Sequence, residues 1–166
     1  MNAKPEFYRP VAVERIGGAD FSQHIEATDA ERDALARRLG IPALAMLACD
    51  FRLRRAGQGV IFAEARLQAR ASRVCVVSLD EFETGVAFDF RVRFVPAALE
   101  SEAFDLEADD EIPYEANEID LGEAAVQELV LALDPYPRKP DAELPGDAGE
   151  AVPSPFTVLR PRGRAN

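Results

Sequence analysis

EIDLGEAAVQELVLALDPYPRKP, residues 118–140, is the stretch on which the reading of the fold turns. Asp120 has the short carboxylate that caps a helix, and Glu123, three positions on, completes a capping box that satisfies backbone N–H groups left free at a helix start. Leu121, Ala125, Leu129 and Leu133 then recur every four residues, with Val126 and Val130 beside them. That spacing lays one broad apolar stripe along a helix, and the stripe needs a surface to pack against. Asp134-Pro135 ends the run, because proline has no N–H to donate and turns the preceding residue away from helix. Burying the large side chains of the stripe would contribute about 10 kcal/mol gross. The stretch predicts a packing helix and, by itself, no reaction.

Upstream, the apolar period changes to two. Leu47, Cys49, Phe51 and Leu53 alternate with Ala48, Asp50, Arg52 and Arg54, and after Gly57-Gln58-Gly59 the residues Ile61, Ala63, Ala65, Leu67, Ala69 and Ala71 alternate with Glu64, Arg66, Gln68 and Arg70. Alternation marks half-buried strands, and the short glycine turn makes them a hairpin. Residues 74–79 are a further apolar run, and Val86, Phe88, Phe90, Val92 and Phe94 alternate with Ala87, Asp89, Arg91 and Arg93 until Pro96. Connections this short cannot hold helical crossovers, so the sheet is expected to be antiparallel. Nearer the N-terminus, residues 11–16 read as a first strand before Gly17-Gly18. Thr28 with Glu31 opens a second helix over residues 29–39, and Gly40 closes it. Arg32, Arg37 and Arg38 are expected on its solvated side.

The expectation is an α+β fold: an antiparallel sheet, with barrel-like closure as one form it can take, and two packing helices. With 166 residues, one core is the default, so residues 1–140 are read as a single domain. Residues 141–166, rich in Pro, Gly and charge, read as a flexible, disordered tail in which residues 155–159, PFTVL, are the one piece able to dock. Residues 99–117 are expected to be mostly loop, with a short strand at 104–106.

Charge is unevenly spread. Residues 94–137 hold 13 acidic side chains and no Lys or Arg, so the chain's net charge of −11 belongs to that segment. The longest run without a charge, residues 39–49, is far shorter than the roughly 20 residues that cross a bilayer. The N-terminus has no apolar core of signal-peptide length, so the cytoplasm is the expected location. Cys49 and Cys75 are too few for a disulfide scaffold and are expected as free, buried thiols.

Catalytic constellations fail one by one. His24 is the only histidine, and the nearness of Asp20 and Ser22 in sequence does not make a triad. Asp105, Glu107 and Asp109 are spaced like the start of a calcium loop, but Asp110 stands where glycine is needed and Ala116 where glutamate is needed. No catalytic residue, cofactor or metal set is expected. The rival reading is a small hydrolase or nuclease built on acidic residues around Asp109 and Asp110. Two binding surfaces are candidates. Asp109, Asp110, Glu111, Glu115 and Glu118 would attract a basic protein. Arg52, Arg54, Arg66, Arg70, Arg91 and Arg93 share the polar side of the sheet, where they would either meet RNA phosphate or pair with the chain's own acidic segment. The overall negative charge opposes the RNA reading at long range.

The succession RPVAVERIGG, ERDALARRLG, CVVSLDEF and EIDLGEAAVQELVLALDPYPR resembles the YceD family across most of residues 7–138, with SPFTVL a weaker echo near the end. The residues that carry the likeness are Cys75, Asp120, Leu121, Gly122, Leu129, Pro135 and Pro137. Members are regarded as factors for accumulation of large-subunit ribosomal RNA, often encoded beside a small zinc-ribbon ribosomal protein. The resemblance implies a non-catalytic, cytoplasmic assembly factor that contacts a ribosomal protein, the pre-ribosomal large subunit or ribosomal RNA, with no membrane partner. An interaction module unrelated to ribosomes is the remaining alternative. Many relatives have C-x-x-C where this chain has Cys75-Val76-Val77-Ser78, and a lone Cys75 on its strand cannot supply a tetrahedral thiolate set.

Overall fold

The computed structural model of the chain describes residues 5–99 and 110–142. The strand expected at 104–106, Asp109 and the tail from residue 143, with its PFTVL segment, lie outside the described residues. Nine elements follow in order: β1 (Pro10–Ala12), β2 (Phe21–Glu26), α1 (Asp29–Leu39), β3 (Ala43–Arg55), β4 (Ile61–Val74), β5 (Glu81–Pro96), β6 (Asp110–Tyr114), β7 (Glu118–Asp120) and α2 (Leu121–Ala132), among the described residues. The α+β class holds.

The main sheet has the order β2-β3-β4-β5-β6, and β1 pairs with β7 in a separate two-stranded ribbon. Its long strands follow the alternation in the sequence, with Leu47, Cys49, Phe51 and Leu53 of β3 and Ile61, Ala63, Ala65, Leu67, Ala69 and Ala71 of β4 all buried on one face. Small alanines on β4 leave room for α2 to approach; α1 covers β3.

Several expectations need correction. The sheet is open, not a barrel: β2 and β6 are its two outer strands and do not pair. β6 runs parallel to β5, from Val92↔Asp110 to Pro96↔Tyr114, so the sheet is mixed. The connection of residues 97–109 is long enough for a parallel return, which the short hairpin turns are not. Residues 110–114 are therefore a strand, not a loop. The first strand stops at Ala12, and Val13–Arg15 form a 3-10 turn. β2 escaped the reading because Gln23 interrupts its apolar row. Of the run at residues 74–79, Val74 ends β4 and residues 75–79 are the tip of the β4–β5 hairpin, not a strand, with Leu79 N–H donating to Cys75 C=O at 2.9 Å.

Both helices begin as expected, with one difference. Thr28 and Glu31 form a reciprocal capping box, and Gly40 ends α1 in the left-handed conformation. At α2, Asp120 accepts from the Gly122 and Glu123 amides. The Glu123 carboxylate does not return the bond, because it is taken by Arg38 through two contacts of 2.8 and 2.6 Å. Arg38 also meets Glu6 at 3.1 Å, so this side chain joins the helices while remaining exposed on the solvated side as expected. Of the apolar stripe, Leu121, Ala125, Val126 and Leu129 are buried, whereas Val130 is 49 % exposed and contributes correspondingly less.

The N-terminal segment is the clamp. Arg9 reaches both carboxylate oxygens of Glu31 at 2.7 and 2.8 Å, donates to Glu26 C=O at 2.9 Å, and lies 4.5 Å from the centre of the Phe7 ring. The guanidinium holds the Glu31 carboxyl at about 2. Asp120 Oδ1 also accepts the Arg9 amide at 2.9 Å, and Leu121 N–H donates to Arg9 C=O at 3.1 Å. One stretch of chain thereby ties β2, α1, β7 and the start of α2 together.

Candidate interaction surface

The outer face of the sheet carries all six arginines read as RNA contacts, and they share it with acids placed by strand register. Rows across the strands read His24, Asp50, Arg66, Asp89 and then Ser22, Arg52, Glu64, Arg91. Arg66 meets Asp89 at 3.2 Å, Arg91 meets Glu64 at 3.5 Å, Arg70 meets Glu83 at 3.8 Å, and Arg93 meets Glu111 at 2.7 Å. Only this last pair involves the acidic segment; the other carboxylates come from the sheet itself. Arg52 and Arg54 have no carboxylate partner among the described residues. Exposed pairs of this kind contribute little to stability, about 0–1 kcal/mol each. Their consequence is for the field: a face of alternating sign does not present phosphate with the one-sign stripe that draws a polyanion.

An open concavity of about 1180 Å³ lies over this face, lined by His24, Asp50, Arg52, Glu64, Arg66 and Asp89 among others. His24 Nδ1 is 2.6 Å from Asp50 Oδ1, and both side chains are well exposed. Ser22 shares the face two residues away, yet no hydrogen bond joins it to His24 among the described residues.

The acidic candidates divide. Glu111 is engaged by Arg93, and Glu118 accepts from the Tyr8 hydroxyl. Glu115 and Asp110 are exposed, with no cationic partner among the described residues. Glu128 on α2 was not singled out as a site residue; it is half-buried, and its carboxyl is pushed up first by burial and then by the charge of Asp110. Asp110 at the start of β6 is thus close enough for its charge to act on Glu128 of α2, and neither carboxylate has a Lys or Arg partner among the described residues. Spacing alone offers little sign of this influence, because the parallel pairing of β6 with the end of β5 is what positions Asp110.

The remaining motif residues are structural. Leu121 and Leu129 are fully buried, Gly122 lies against the backbone of Phe7, and Pro137 C=O accepts the Val76 amide at 3.0 Å. Pro135 is exposed just beyond α2. Cys49 is buried on β3 and its thiol is pushed up to about 12 by burial. Cys75 is also buried, at the hairpin tip, where its Sγ accepts the Ser78 and Lys139 amides, each at 3.4 Å. Those donors, Lys139 foremost, outweigh desolvation and bring the thiol down to about 6. Against an ordinary thiol at 9.0, this adds stability that is present above 9.0 and is lost as pH falls toward about 6. The urea midpoint is accordingly expected to rise across that window in the native chain and to lose most of the rise in Cys75→Ser, whose hydroxyl keeps the acceptor but does not ionise. Equal pH dependence in both chains would contradict the assignment.

Compared with known proteins, residues 63–155 match a family model described as large ribosomal RNA subunit accumulation protein YceD. The match takes in β4, β5, β6, β7 and α2, and begins after the RPVAVERIGG and ERDALARRLG stretches. No curated protein and no solved structure matches the chain. Among the described residues, no helix is long and apolar enough to cross a membrane.

Proposed function

Because the chain belongs to the YceD family of large ribosomal RNA subunit accumulation proteins, we propose that it supports accumulation of that RNA as a non-catalytic, cytoplasmic factor binding a basic ribosomal protein. What supports this reading is that Asp110 and Glu115 are exposed carboxylates without a described cationic partner, and that half-buried Glu128 is disfavoured as an anion, first by burial and then by the charge of Asp110. A lysine or arginine from a partner would offset that charge and find Glu115 nearby in sequence as a second contact. The segment around these acids is the source of the chain's negative charge, so encounter would be fast at low salt and slower as ions screen the field over about 10 Å.

Direct contact of the arginine face with RNA is the less supported form of the proposal, since four of its six cations already face carboxylates. The hydrolase reading finds no support in the described part of the acidic segment: Asp110 is exposed and Glu128 has no nucleophile or metal ligand set described beside it. Depletion of the protein is expected to lower large-subunit ribosomal RNA relative to small-subunit RNA in subunit profiles. An unchanged ratio on full depletion would sink the ribosomal reading and favour an unrelated interaction module.

A further inference from the structure

Val74, Val76, Leu79, Leu99, Val130, Leu131 and Tyr136 are the large apolar side chains left exposed among the described residues. Six of these seven lie on two short segments, residues 74–79 at the β4–β5 hairpin and residues 130–136 at and just beyond the end of α2. Distant in sequence, the two segments are bonded to each other. Val76 N–H donates to Pro137 C=O at 3.0 Å, Lys139 N–H reaches Cys75 Sγ at 3.4 Å, and Arg73 donates to Asp134 C=O at 2.6 Å. The exposed side chains are therefore gathered at one end of the molecule. Scattered singly they would need no account, but a gathered apolar surface marks a contact site.

The fold does not require apolar side chains there. Leu121, Ala125, Val126 and Leu129 already supply the packing face of α2, and Val130 and Leu131, 49 % and 74 % exposed, fall outside it. Lysine or glutamate would propagate the helix as well as Leu131 does and better than Val130.

Charge selects the occupant. Glu128 stands three residues before Leu131, and so beside it on the helix surface, with no Lys or Arg partner among the described residues. Residues 94–137 contain no cation at all. Of the cations brought up by the neighbouring segments, Arg73 is engaged by Asp134 C=O and Lys139 lies 3.9 Å from Asp80. Arg138 is exposed, but it follows Pro137 at the hairpin side and leaves the α2 side negative. A second copy of the chain, with the same net charge of −11, is repelled at long range.

We propose that this end of the molecule docks a basic amphipathic segment of a partner protein, whose apolar side chains cover Leu131 and Tyr136 while its Lys or Arg meets Glu128. The proposal rests on the basic-partner reading above and adds to it an apolar contact that salt does not screen.

Two helical peptides of about 15 residues test it by fluorescence anisotropy on the full-length chain. Both carry the same lysines; one also presents leucines along one face, and the other has glutamine in place of each leucine. The leucine peptide is expected to bind at least about tenfold more tightly, and that ratio should persist as added salt weakens both. Leu131→Gln with Tyr136→Gln should bring the leucine peptide down to the affinity of the glutamine peptide. The same variant should leave the glutamine peptide's affinity and the urea midpoint unchanged. Equal affinity of the two peptides for the native chain would overturn the apolar contact and leave the charge reading standing. Undiminished binding of the leucine peptide by the double variant would also overturn it. Binding of neither peptide would overturn both readings. A dimer of the native chain in light scattering, lost in the double variant, would make a second copy the occupant and overturn the proposal.

Discussion

Gly122→Ala is expected to destabilise the fold by at least about 3 kcal/mol. A Cβ at this position would fall 1.9 Å from Phe7 O and 2.8 Å from Phe7 C, with Arg9 N at 3.2 Å. All three are backbone atoms, so no side-chain rotation relieves the clash. The N-terminal segment would have to lift off α2, withdrawing Phe7, which is 0 % exposed, from the core. Alanine's better helix propensity returns only about 1 kcal/mol, so the steric term decides the sign. Urea unfolding measures it, and a loss below about 1 kcal/mol would show that the segment does not lie across the helix start as described. The glycine in IDLGEAA is thus explained by contact with a segment 115 residues earlier, not by backbone conformation.

Asp120→Ala should cost about 2–4 kcal/mol, from a lost helix cap and an orphaned amide. One oxygen, Oδ1, accepts from Arg9 N and Gly122 N at 2.9 Å each and from Glu123 N at 3.3 Å. Alanine frees all three donors at once, and the Arg9 amide is the one that water replaces least easily because it is part-buried. Asp120→Asn keeps an acceptor at Oδ1 and is expected to retain more than half of the lost stability. Equal losses in Ala and Asn would mean that charge near the helix end, not the shared acceptor, is what matters.

Much of this architecture was legible because local chemistry and tertiary packing agree. Thr28, Glu31 and Gly40 mark α1 at both ends, and the alternation in β3 and β4 survives in their burial pattern. What failed were features set by distant partners. Glu123 has the right spacing to complete a capping box, but Arg38 competes for it from 85 residues away. Residues 110–114 have no strong alternation and become a strand by pairing with the end of β5. Cys75 sits in an apolar run that looks like a strand, yet Leu79 adopts a φ of 62° and turns the chain there. The candidate surface was only partly visible for the same reason: strand parity placed the arginines together, but not the acids opposite them, and nothing in the sequence joined Asp110 to Glu128. Arg9, which organises the N-terminal clamp, offered only the weak signal of a lone cation in EFYRPVAV.

Rescue of depleted cells separates the two surfaces most directly. Large-subunit ribosomal RNA would be measured after expressing the native chain, Asp110→Asn with Glu128→Gln, or Arg52→Gln with Arg54→Gln. Neutralising Asp110 and Glu128 removes the cost of a half-buried anion and the Asp110 charge that acts on it, so the first variant is expected to keep a urea midpoint at least equal to the native chain's, measured alongside to separate lost function from lost fold. The account predicts that this variant leaves large-subunit RNA low whereas the arginine variant restores it. Full rescue by the acidic-pair variant, with loss in the arginine variant, would contradict it.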